Sequence, residues 1–209
     1  MPTNVYAEET VVLPMLTRMR LPRSVLLELA SKIAGERANV AEHEPPNDAG
    51  FETWRWGTRY SREDDTLRSL GWSLCDQDQV SGVRNDALGI KFVVCGTDGN
   101  KGNPLKSPRN LSEKGPASCR LIGKNTGQMR LGFIADAPHD DLWYFCLYFC
   151  EQFISIEVSR PNSEIAGVVT SFSDRIIVAK PGEIPGIRKI VVPQEFAEVP
   201  KPQVSRRNG

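Results

Sequence analysis

Between Leu142 and Ala179 the chain has the least conformational choice. Leu142 to Cys150 is an unbroken run of apolar residues in which Trp143, Tyr144, Phe145, Tyr148 and Phe149 supply the bulk. A run apolar on both alternating faces suits a central strand covered from both sides. Asp140 and Asp141 just before it would equally cap a helix, and the aromatic enrichment decides for the strand. Next, Ile154, Ile156 and Val158 alternate with Ser155, Glu157 and Ser159. That period of two predicts a strand with one buried and one wet face. Arg160 to Glu164 reads as a turn, Ile165 to Phe172 as a returning strand, Ser173 and Asp174 as a second turn, and Arg175 to Ala179 as another strand. The succession predicts an antiparallel β-meander, continued past Pro181 to Gly186 by a strand over Ile187 to Val192.

Upstream the periodicity changes. From Ser24 to Arg37, Leu26, Leu29, Ala30 and Ile33 recur at helical spacing, with Pro22 opening the segment and a Glu28 and Lys32 pair on its outer side. Thr10 to Leu16 is apolar and β-branched and reads as a strand or extended arm. Phe51 to Tyr60 is strand-like, its alternation placing Trp54 and Trp56 on one face and Arg55 on the other. Ser61, with Asp64 three residues on, resembles a capping box that opens a short helix ending at Gly71. Trp72 to Cys75, Val80 to Val83 and Ile90 to Cys95 read as strands, Pro116 to Lys124 as a helix and Met129 to Ala135 as a strand. The expected fold is α+β: a largely antiparallel sheet with a C-terminal β-meander and two or three helices packed on it. Residues 1–195 form a single domain in this reading, and 196–209 a flexible tail.

Composition narrows the function classes. The sequence carries 26 basic and 26 acidic residues, so no overall field attracts a polyanion and any attraction must be local. Five cysteines without a C-x-x-C pair, and no basic, apolar leader, predict reduced thiols and a cytoplasmic location. No apolar run approaches the roughly 20 residues a membrane helix needs, so no membrane association is expected.

The segment 96–115 is rich in Gly, Asn, Ser and Pro and reads as a long loop. Connections of this length are usually functional or disordered. From Gly99 to Ala135 the basic residues are Lys101, Lys106, Arg109, Lys114, Arg120, Lys124 and Arg130, against Glu113 alone among the acids. A concentrated, Gly-rich basic stretch suits phosphate backbones or an acidic protein face. Arg55 and Arg59, interleaved with Trp54, Trp56 and Tyr60, would add stacking on bases.

Other chemistry finds less footing. His43 lies in an acidic, Pro-rich loop and His139 beside two aspartates, but no nucleophile signature accompanies either. The scattered cysteines lack zinc spacing, and no metal or cofactor is expected. Asp76, Asp78, Asp86 and Asp98, with Lys91, lie on or beside adjacent predicted strands and have the donor chemistry of a Mg²⁺-dependent phosphodiester or nucleotide hydrolase. Three readings follow. The first is a non-catalytic binding or regulatory protein whose basic loop contacts nucleic acid or an acidic partner through Lys101, Lys106, Arg109, Lys114, Arg120, Lys124, Arg55 and Arg59. The second is that hydrolase, and the third a structural or assembly protein.

Overall fold

A seven-stranded mixed sheet organises the chain. The computed structural model describes residues 3–39, 48–76, 79–100, 102–126 and 141–186. In chain order the elements are β1 (Asn4–Tyr6), α1 (Glu9–Arg18), α2 (Arg23–Ala38), α3 (Asp48–Glu63), α4 (Asp65–Ser69), β2 (Ser73–Cys75), β3 (Gly82–Asn85), β4 (Ile90–Gly96), α5 (Pro116–Asn125), β5 (Asp141–Phe149), β6 (Phe153–Ile165) and β7 (Val168–Pro185). Strand order across the sheet is β1-β7-β6-β5-β4-β3-β2. The expected strand at 129–135, the strand at 187–192, His43, His139, Asp78, Lys101, Arg130 and the tail all lie outside the described residues.

The α+β class holds, but the sheet is mixed and not largely antiparallel, and there are five described helices where two or three were expected. Two of the six pairings, β4 with β5 and β1 with β7, are parallel. The first arises because the connection between β4 and β5 carries α5 across one face of the sheet, and a crossover returns the chain in the same direction.

Two expected strands are helices. Over 10–16, Val12 and Leu16 are buried four residues apart in α1, and tertiary burial overrides the β-branched composition. Pro14 inside α1 is exposed, so the Thr10 carbonyl it leaves without a donor faces water. Over 51–60, the residues facing the sheet in α3 are Thr53, Gly57, Thr58 and Ser61, not the tryptophans. Thr53, Gly57 and Ser61 share one helical face, and their small size brings α3 close to β4. A Cβ at Gly57 would lie 2.7 Å from Val94 Cγ1. Ser61 accordingly lies in the last turn of α3, donating to the Gly57 carbonyl at 2.7 Å, and Asp64 is the cap of α4, accepting from Leu67 N at 2.8 Å.

The predicted meander is one long hairpin. Ile165 pairs with Val168, and the two residues between, Ala166 and Gly167, have φ of 50° and 79°, the left-handed pair a tight two-residue turn requires. The turn signals at 160–164 are absorbed as register shifts around Pro161 and Ser163, where a proline without an N–H is tolerated.

The two faces of the sheet are covered differently. On one, covered by α1, α2 and α3, Leu16 of α1 and Leu26, Leu29 and Ile33 of α2 pack with Val94, Phe145, Ile156 and Ile176. On the other, Leu121 and Ile122 of α5 meet Val93, Tyr144, Cys146 and Phe172. The expected wet face of β6 is not wet: Ser155, Glu157 and Ser159 are each 0% exposed, because the chain between β4 and α5 lies over them. All five cysteines are unbridged, three of them buried. No helix among the described residues is long and apolar enough to cross a membrane.

Candidate anion-binding surface

Among its described residues the segment from Thr97 to Gly115 contains no helix or strand, yet besides the Thr97–Asn110 bridge and the Thr97 N–H bond to the Leu147 carbonyl its backbone is held by three groups of contacts. The first is Asp98, whose carboxylate accepts from the backbone N–H of Asn100 and of Arg109, both at 3.2 Å. The second is a buried ion pair on the sheet below. Arg175 Nε donates to Glu157 Oε1 at 3.0 Å and Arg175 Nη2 to Oε2 at 2.8 Å, a bidentate geometry at 2% and 0% side-chain exposure. The remaining donors of Arg175 reach into the loop, Nη1 to the Lys106 carbonyl at 2.9 Å and Nη2 to the Asn103 carbonyl at 3.2 Å. Glu157 accepts in turn from Gly102 N at 3.1 Å and from Ser159 Oγ at 2.7 Å. The third tie is the β6–β7 turn: Lys114 N donates to the Gly167 carbonyl at 2.8 Å, and the Asn110 side chain bonds both Gly167 O and Val169 N.

This fixed backbone presents the cations. Lys106, Arg109 and Arg120 are exposed, Lys114 and Lys124 half-buried. None of the five forms an ion pair with a carboxylate among the described residues. The loop and α5 share one face of the sheet, so these charges project from a single layer. Between the loop and the β6–β7 turn runs a groove of about 660 Å³, lined by Lys106, Arg109, Asn100 and Thr170 among others. Lys114 also extends its ammonium over the Tyr144 ring, 5.3 Å from the centroid. The phenol of Tyr144 is buried without a hydrogen-bond partner among the described residues, and burial pushes its pKa well above the ordinary value.

Arg55 and Arg59 are not part of this surface. They lie on α3, which covers the opposite face of the sheet, and pair within that helix with Glu52 at 3.3 Å and Glu63 at 2.9 Å. Both guanidinium groups sit over the Trp56 ring, at 5.3 and 5.2 Å, so the arginine and tryptophan interleaving is spent on the helix itself.

Nor does the structure gather the acids. Asp86 precedes β4 and binds Arg84 at 2.8 Å, whereas Asp98 follows β4 and holds the loop backbone. Seven strand residues between them span roughly 20 Å. Asp76 accepts from Ser81 Oγ and Arg62 Nη2, which hold its carboxyl below the ordinary range, with Lys91 adding a smaller charge effect. Lys91 itself is buried, 2% exposed, as the second residue of β4. No three Cys, His, Asp or Glu side chains among the described residues come together as metal ligands, so the hydrolase reading draws no support from this arrangement.

A second concavity has no counterpart in the sequence reading. At the C-terminal ends of the parallel pair β4 and β5, between the first turns of α3 and the end of the basic loop, is a cleft of about 350 Å³. Arg37, Phe51, Trp54, Lys114 and Tyr148 are among its walls. Arg37 Nη1 donates to Thr53 Oγ1 at 2.6 Å, and its guanidinium lies 4.9 Å over the Phe149 ring. Burial lowers the Arg37 pKa from its ordinary value. These residues come from four separate stretches of chain, and the one available signal, aromatics at 51 and 54, reads as strand core when the period is taken as two.

Comparison with protein-family models, curated proteins and solved structures finds no match for this chain.

Proposed function

We propose that this chain is a non-catalytic binding protein that holds the phosphate backbone of a nucleic acid on the surface formed by Lys106, Arg109, Lys114, Arg120 and Lys124. The observation that supports this reading is the absence of carboxylate partners for these five cations among the described residues. Among the described residues most of the other basic side chains are paired, including Arg23, Lys32, Arg62, Arg68, Arg84 and Arg160. Cations without a carboxylate partner among the described residues, displayed from one layer, create a local positive field on a chain of zero net charge. The Arg175 and Glu157 anchor adds to this by holding the loop in one posture, so that little ordering entropy is lost on contact.

The test is the salt dependence of binding to fluorescein-labelled single- and double-stranded oligonucleotides. Each phosphate contact contributes about 0.7 to the slope of log K against log salt for a single strand, and about 0.9 for a duplex. The combined variant Lys106→Gln, Arg109→Gln, Arg120→Gln, Lys124→Gln should bind more weakly and lower that slope by about 3 if all four side chains touch phosphate. Absence of binding at low salt, or a slope unchanged by the four substitutions, defeats the reading. Binding to a polyglutamate chain in preference to the oligonucleotides would replace nucleic acid with an acidic protein partner.

A further inference from the structure

The cleft beside α3 differs in its lining from the open basic surface. Its only charged walls among the described residues are Arg37 and Lys114, both cations. Its other prominent walls are aromatic. Phe51 and Trp54, one turn apart on α3, are 52% and 42% exposed, and their rings lie 5.8 Å apart with an interplanar angle of 39°. Two large rings left in water one turn apart sacrifice burial that a core position would have given them. The same cleft opens at the C-terminal ends of β4 and β5, where ligands of open α/β sheets characteristically sit. Gly50 and Phe51 place the first turn of α3, the positive end of the helix dipole, at its rim.

We propose that this cleft binds a planar aromatic ring carrying an anionic group, the chemistry of a nucleotide, with the ring against Phe51 and Trp54 and the anion toward Lys114 and Arg37. Size agrees with one such unit: 350 Å³ lies near the lower end of the roughly 300–1,000 Å³ range of small-ligand pockets, too small for a dinucleotide. Arg37 is pre-oriented by Thr53 and Phe149, so its guanidinium loses little freedom on meeting an anion. The site stands independently of the basic surface and shares only Lys114 with it. The ligand is either a free nucleotide or one nucleotide of a single strand whose base turns into the cleft.

Isothermal titration of the full chain with adenosine 5′-monophosphate, adenosine, inorganic phosphate and a short single-stranded oligoadenylate tests the assignment. The monophosphate should bind about tenfold or more tightly than either of its fragments, since ring and anion are held together. Trp54→Ala should weaken it about tenfold or more, and Trp54→Phe should restore most of the loss. Lys114→Met should weaken it about tenfold. The pair Lys106→Gln, Arg109→Gln, outside the cleft, should leave monophosphate affinity unchanged even where it weakens oligonucleotide binding. If only the oligoadenylate binds, with the same dependence on Trp54 and Lys114, the ligand is the polymer. If neither ligand responds to Trp54→Ala and Lys114→Met in variants shown to be folded by circular dichroism, the cleft is not this site.

Discussion

Replacing Arg175 with Met removes one half of the buried pair that fastens the basic loop to the sheet. Glu157 is 0% exposed and keeps Gly102 N and Ser159 Oγ as donors, but its negative charge loses the bidentate partner. Breaking a buried pair from one side costs about 3–5 kcal/mol. The carbonyls of Asn103 and Lys106 also lose their donors, and they recover much of that loss by turning to water once the loop lifts. For a domain of this size, about 3–5 kcal/mol lowers Tm by roughly 6–20 °C. Urea unfolding monitored by circular dichroism measures the change. Trypsin under native conditions reports the loop, since Lys106 and Arg109 become cleavable when it detaches. The double variant Arg175→Met, Glu157→Leu removes both charges and should recover most of the lost stability, because an apolar pair of similar volume is often no worse than a buried ion pair. The loop should stay cleavable, since its backbone anchors are still gone. A single variant less than about 1 kcal/mol below the parent, or a double variant no better than the single one, refutes this assignment of roles.

Two further outcomes follow from local geometry. Gly57→Ala gains up to about 1 kcal/mol in helix propensity but sets a Cβ 2.7 Å and 2.9 Å from the Val94 methyls, so chemical denaturation should show a net loss that Val94→Ala in the same chain reduces. The Tyr60 phenol donates to Glu36 and its pKa is pushed up to about 12, mainly by that hydrogen bond. Because the folded value exceeds the unfolded value of 10.0, the contribution is full below pH 10 and fades as pH rises toward 12. Tyr60→Phe should remove the tyrosinate transition near pH 12 from the ultraviolet titration and flatten stability over that window.

What the sequence disclosed depended on how ordinary the packing was. The helix of Leu26, Leu29, Ala30 and Ile33 and the strands Ile90–Gly96 and Asp141–Phe149 were legible because large apolar residues mark their buried faces. Pro116 announced α5 in the same direct way. α3 was illegible because its buried stripe is Thr53, Gly57 and Ser61, while Phe51 and Trp54 are exposed and Trp54 and Trp56 happen to alternate with Arg55. Strand direction was equally hidden: nothing in Ile90–Gly96 or Asp141–Phe149 says that they run parallel. The basic residues of the candidate surface could be read from composition, but the fixed posture of their loop could not. Its anchor residue Glu157 occupies an alternating polar position that normally faces water, and only the loop folded over it makes that position interior. The aromatic cleft assembles from distant stretches, and its one local sign, Phe51 and Trp54, fits a strand as well as a helix.

The pairing of β1 with β7 sets a condition on how the molecule is made. Asn4, Val5 and Tyr6 lie alongside Asp174, Arg175 and Ile176, and Thr3 donates to the Phe172 carbonyl. During synthesis this segment must therefore wait until nearly every other described residue has left the ribosome before it finds its neighbour. Contacts of such long sequence separation slow folding. A nascent chain halted anywhere before Phe172 would hold α1 and α2 without the edge that clasps them to the sheet, and the final ordering step would be the closing of that clasp.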